Sequence, residues 1–162
     1  MRRSEQRLEK LSWEHQDAIK FARNIARGLG LDTDINQVRS YAINIAENFL
    51  EPHFNLEERC LIARLNDMQL RHPSVDEVLK QHREFGQLKI ALRRAADADL
   101  RPLLDQFRTL MEAHVQLEER EFFPFILETL SDEQLRQAEV EIDSGAIVNC
   151  SNWPDPFWRP RL

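Results

Sequence analysis

Apolar residues recur along most of this chain at intervals of three and four, the period of an amphipathic helix. A first helix is predicted over about residues 4–27, with the stripe Leu8, Leu11, His15, Ala18, Ala22 and Ile25 and with Gly28 and Gly30 closing it. A second starts near Asp34, which has capping-box spacing to Gln37, and runs to about Leu65. Its stripe reads Val38, Ala42, Ile45, Phe49, His53, Leu56, Glu57 and Cys60. Ser74 and Glu77 make another capping box and open a third helix bearing Val75, Val78, Leu79, His82, Phe85 and Gly86. The fourth starts near Asp99 and shows Leu103, Phe107, Met111, His114, Glu118, Phe122 and Phe125. A short fifth follows a third capping box at Ser131 and Gln134, and from Ser144 the chain reads as an irregular tail rich in proline and aromatic residues.

Four long amphipathic helices with short connections predict an all-α, up-down-up-down four-helix bundle. The bundle is assigned to residues 4–130, the short helix to 131–143 and the tail to 144–162. Pro52 is expected to kink the second helix, and Pro124 to kink the fourth or end it early, because each removes an N–H from the ladder. Alternatively, the second helix splits at Glu51 and Pro52 occupies the first turn of a new one. The tail, with Trp153, Phe157 and Trp158, is expected to pack across the bundle, a homodimer contact being the rival arrangement.

Composition narrows the class. The 162 residues carry 22 Lys and Arg against 28 Asp and Glu, a net charge of −6, which disfavours nucleic acid as a partner. The two cysteines, Cys60 and Cys150, are too few for a disulfide scaffold and favour a reducing compartment. No run of apolar residues is long enough for a membrane span. A cytoplasmic, helix-rich protein is expected.

The histidines change the picture from architecture to chemistry. Four of the five, His15, His53, His82 and His114, fall on the apolar stripes of four different helices. A stripe covers about three positions in seven, so chance gives that placement with a probability of roughly 0.03. His53 and His114 are each followed four residues later by a glutamate, Glu57 and Glu118, which stacks the two side chains on one face. The segments also repeat: both read His-x-x-Leu-Glu-Glu-Arg, from His53 to Arg59 and from His114 to Arg120. Carboxylates and imidazoles aimed into a core cost several kcal/mol for each ionised group unless paired, by an order-of-magnitude reckoning. No Arg or Lys shares their stripes apart from Lys89, beyond His82. Metal resolves the conflict, since imidazole and carboxylate suit iron, manganese or zinc. Four His and two Glu are too many for one ion with an open position and suit two. Bridging carboxylates hold such ions about 3.5–4 Å apart.

With these residues in place, the pattern resembles the hemerythrin-like family, the HHE cation-binding domain of four-helix non-haem di-iron proteins. The resemblance spans about residues 8–130. It implies that His15 and His53 ligate one iron, that His82 and His114 ligate the other, and that Glu57 and Glu118 bridge, with an oxo or hydroxo group between the ions. Two positions depart from the oxygen-carrying members. Val78 stands where they have a further histidine, and Glu118 stands where they have an aspartate. Fewer protein ligands leave more exchangeable positions, which shifts weight from oxygen storage to sensing, redox chemistry or iron handling.

The function expected is binding or sensing of a small oxidant such as oxygen, nitric oxide or peroxide, or iron handling. One rival is a di-iron redox enzyme or iron-centre repair protein, for which Glu58 and Glu119 are the available extra carboxylates. Another is a zinc-stabilised interaction bundle. Glu58 and Glu119 are expected as solvated flanks, the alternative being hydrogen bonds to ligand histidines. Cys60 is expected to be a small core thiol, Met111 and Phe107 to be core and to line a dry pocket, and Tyr41 to face away from His53.

Overall fold

In the computed structural model, residues 5–145 and 153–159 are described. Cys150 and Pro160 lie outside them. The described residues form five helices: α1 (Glu9–Gly30), led in by a 3-10 turn at Glu5–Leu8; α2 (residues 35–67); α3 (Pro73–Arg94); α4 (residues 97–129); and α5 (Asp132–Ser144). The fold is an all-helical bundle. No helix among the described residues is long and apolar enough to cross a membrane.

Side-chain pairs between helices fix the packing sense. Asn24 meets Tyr41 while Glu14 meets His53; Arg39 reaches Leu92 while Glu58 reaches His82. Partners descend along one helix as they climb along the next, so α1 runs antiparallel to α2 and α2 to α3. Arg7 pairs with Glu139 and Arg64 with Glu141, which fasten α5 across the end of the bundle. Lys10 Nζ donates to the carbonyls of Ile142 and Gly145 at 2.7 Å, a cation placed where the α5 dipole is negative.

Helix ends follow local chemistry, with three departures from expectation. Asp34 caps α2 by accepting from Asn36 N–H rather than by a reciprocal box with Gln37, whose amide donates to Asp155. α3 opens at Pro73, capped by His72, whose Nδ1 accepts from Ser74 N–H; the Ser74 to Glu77 box does not form. Proline at the first helical position loses nothing, because that N–H would be unsatisfied anyway, and the cap at His72 moves the start two residues back from the one the Ser74 box predicts. α1 continues through Gly28 to Gly30 before turning at Leu31. The box at Ser131 and Gln134 is present in both directions.

Neither Pro52 nor Pro124 breaks its helix. Each follows a one-turn widening in which hydrogen bonds span five residues: Glu51 N–H bonds Ala46 O just before Pro52, and Phe123 N–H bonds Glu118 O just before Pro124. The extra residue relieves the clash between the proline ring and the preceding turn while the helix continues. A third widening, Glu58–Ile62, has no proline and starts directly after Glu57. Widened turns therefore flank both buried glutamates.

The core is divided. One apolar cluster holds Phe21, Ile25, Tyr41, Phe49, Phe85 and Phe107 with their neighbours; the other holds Leu11, Leu56, Cys60, Leu65, Phe122 and Ile126 with theirs. Between them in chain position on every long helix lie the histidines and glutamates of the stripes. The tail closes the first cluster: Trp153, Phe157 and Trp158 all pack round the Tyr41 ring, at 5.1–5.3 Å between centroids. Gly28 permits this approach, because a Cβ there would stand 2.4 Å from Phe157. Gly28→Ala is expected to cost about 1–3 kcal/mol by overpacking, read as a lowered melting temperature; an unchanged one would mean that Phe157 does not dock at Gly28.

Candidate metal centre

The four stripe histidines and two glutamates meet in one polar layer. His15 on α1 and His53 on α2 have ring centroids 5.0 Å apart, inclined at 57°. His82 on α3 and His114 on α4 repeat that arrangement, again 5.0 Å and 57°. The two carboxylates stand between the pairs. Glu57 Oε1 lies 3.4 Å from His53 Nε2 and 3.5 Å from His82 Nε2. Glu118 turns Oε2 to His15 Nε2 at 3.2 Å and Oε1 towards His82 and His114. Two groups of potential ligand atoms result, His15, His53, Glu57, Glu118 and Glu57, His82, His114, Glu118, the atoms of each lying within 4.8 Å of one another. Each glutamate belongs to both.

Burial makes this layer costly unless a cation enters it. Glu57 and Glu118 are fully buried at 0 % exposure. The Nε2 atoms of all four histidines and both oxygens of each glutamate are buried without a hydrogen-bond partner. Native proteins leave few such groups unsatisfied, and here eight converge on one place. Imidazole nitrogen and carboxylate oxygen are the donor types that iron, manganese and zinc accept. The residues fit a bound pair of cations.

The other face of each imidazole is anchored. His15 Nδ1–H donates to Glu119 at 2.8 Å, His53 to Glu14 at 3.2 Å, His82 to Glu58 at 3.1 Å and His114 to Gln81 at 2.7 Å. Carboxylate oxygens, and the amide Oε1 of Gln81, only accept, so Nδ1 carries the proton and Nε2 presents its lone pair to the centre. Glu58 and Glu119 are thus both exposed flanks, as expected, and hydrogen-bond acceptors for two of these histidines. A helical offset of one residue carries each of them past its own helix's ligand to the histidine of the adjacent helix. Glu14 and Gln81 escaped the sequence reading altogether. Each immediately precedes a stripe histidine, and the doubling of the chain was the available signal: Glu14–His15 and Gln81–His82 share an offset of 67 residues.

A family model for the hemerythrin HHE cation-binding domain matches residues 6–126. The chain belongs to that family. No match was found among curated proteins or among solved structures. Residues that line up on the HHE repeat thus sit in the layer where two His/Glu groups can hold metal.

Around the centre of this HHE domain, aromatic rings cover the outer histidines. Phe123 stacks on His15, with centroids 5.1 Å apart, and Phe54 on His82 at 3.9 Å. A cavity of about 10 Å³, room for one water-sized molecule, lies beside His15, His53 and His114 and is otherwise lined largely by Phe49, Leu50, Phe85 and Met111. Met111 lines it as expected, whereas Phe107 packs edge-on against Phe85 within the core. Cys60 is buried in the second apolar cluster, and burial pushes its thiol pKa up, away from the reactive range.

Without a cation, protons are the positive charge the layer recruits. Burial opposes charging of His15, yet Glu118 and Glu119 outweigh it and lift its pKa to about 9. Against the same burial penalty, Glu57 and Glu14 lift His53 to about 10, and Glu118, Glu57 and Glu58 lift His82 to about 11. Burial alone would favour neutral Glu118, but His114 above all holds its pKa well below the usual carboxylate range. An unfolded histidine titrates near about 6.5, so the stabilisation from these raised values is complete below that pH and disappears as pH climbs through them. Metal-free protein is expected to lose melting temperature between about pH 6.5 and 11, while protein loaded with Zn²⁺ keeps it. A flat metal-free profile across that window would contradict the charge pairing.

Proposed function

We propose that this HHE domain holds two iron ions, His15 and His53 serving one, His82 and His114 the other, with Glu57 and Glu118 bridging. Its function is the binding or sensing of a small oxidant or diatomic molecule. The observation that carries this reading is the set of eight buried, partnerless donor atoms, four imidazole nitrogens and four carboxylate oxygens, converging from four helices. An iron pair with open positions supplies reversible passage between ferrous and ferric states and a place for a small ligand.

The chain's own residues set the conditions. Nδ1 hydrogen bonds fix each ring's orientation and raise its basicity at Nε2. Phe49, Leu50, Phe85 and Met111 make the adjoining cavity largely apolar, and its room for one water-sized molecule leaves no space for an organic substrate. Glu58 and Glu119, the acids on which an enzymatic reading would draw, are engaged at Nδ1 of His82 and His15, which supports binding over turnover.

Metal analysis of the purified protein with visible spectra before and after reduction and exposure to air tests the reading. Two iron ions per chain and an absorption band that bleaches on reduction and returns in air are expected. A colourless, redox-silent protein containing zinc would overturn the iron assignment. His53→Ala and Glu118→Ala are each expected to lower metal content and melting temperature together. Full loading with unchanged melting in either variant would contradict the ligand set.

A further inference from the structure

The two metal positions share one ligand chemistry, yet their surroundings are not equivalent. The Nδ1 acceptors follow the internal doubling of the chain: Glu119 on His15 corresponds to Glu58 on His82, offset by 61 residues. Glu14 on His53 corresponds to Gln81 on His114, offset by 67. Only the second correspondence breaks in charge. The His15/His53 position is backed by two carboxylates, and the His82/His114 position by one carboxylate and one neutral amide.

Packing breaks in the same direction. A groove of about 290 Å³ opens beside His82, between α2 and α3, lined in part by Ala46, Glu51, Phe54, Asn55, Glu58 and Gly86. A Cβ on Gly86 would meet nothing within 4 Å. The position on α1 that corresponds to Gly86, offset by the same 67 residues, holds Ile19, which carries a branched side chain where Gly86 has none. His15 is buried at 2 % exposure, and His82 is the one stripe histidine that is only partly buried. Glu51, which pairs with Lys89, Glu58, which holds His82, and Asn55 make this rim polar, and a polar rim suits the passage of a hydrated cation.

Resting on the di-metal reading above, the geometry points to a division of labour: the His15/His53 position retains its ion, whereas the His82/His114 position binds more weakly and exchanges its ion with solvent through the Gly86 groove. Glu14 and Gln81 are the positioning residues that set the difference, because a carboxylate acceptor makes an imidazole a stronger donor than an amide does. Gly86 sets the rate.

Anaerobic titration of metal-depleted protein with Fe²⁺, followed by chelator challenge, reads both properties. Two resolved binding steps and two release phases are expected. His82→Ala should abolish the weak step and the fast phase and keep the tight one. Changes at the Nδ1 acceptors commonly alter metal affinity by roughly 10–100-fold, so Glu14→Gln should weaken the tight step and Gln81→Glu strengthen the weak step by factors of that order. Gly86→Ile should slow the fast phase and leave both affinities in place. Helical circular dichroism confirms that each variant is folded. Two equal steps in the wild type, or a Gln81→Glu protein still as unequal as the parent, would overturn this inference and leave the di-metal reading intact. Uptake of one ion or none would instead overturn the di-metal reading itself.

Discussion

Two carboxylates buried at the centre of the bundle, with no Arg or Lys paired to them among the described residues, are the constraint on which the rest of the structure turns. Glu57 and Glu118 have no solvent exposure, and four imidazoles face them from four helices. In an apolar interior such charges are tolerated only when matched by positive charge and satisfied donors. Here the matching charge must be protons or metal ions. The choice couples folding to binding, because the same atoms cannot hold both.

That constraint shapes the fold as much as the chemistry. The polar layer divides the interior into two apolar clusters, each with its own cap: the aromatic tail over one, α5 over the other. Widened helical turns sit beside Glu57 and Glu118, and such turns concentrate at functional sites. They also let Pro52 and Pro124 lie inside long helices. The helices therefore continue past the layer, and each His-x-x-x-Glu pair stays on one face.

Much of this was legible in the sequence, because helical period and residue identity together carry it. The stripes place His15, His53, His82 and His114 on inward faces, and the repeated His-x-x-Leu-Glu-Glu-Arg segment brings Glu57 and Glu118 beside them. What a single helix's period does not reveal is which neighbouring helix a flanking residue reaches. Glu58 and Glu119 read as solvent-facing on their own helices and yet anchor His82 and His15 on adjacent ones. Glu14 and Gln81 carry no motif, and only the register between helices gives them partners. Proline left its outcome open in a related way: its missing N–H does not say whether the helix stops, and a local change in hydrogen-bond spacing lets both helices continue through Pro52 and Pro124. The His72 cap was hidden because a capping box two residues on offered a competing start for α3.

The central claim is that six inward side chains converge on two shared cations. Anomalous diffraction at the iron edge from crystals of the iron-loaded protein tests it most directly. Two peaks inside the bundle are predicted, one bound by Nε2 of His15 and His53, the other by Nε2 of His82 and His114, with a carboxylate oxygen of Glu57 and of Glu118 on each. No peak in that layer, with the imidazoles hydrogen-bonded to ordinary neighbours, would contradict the account.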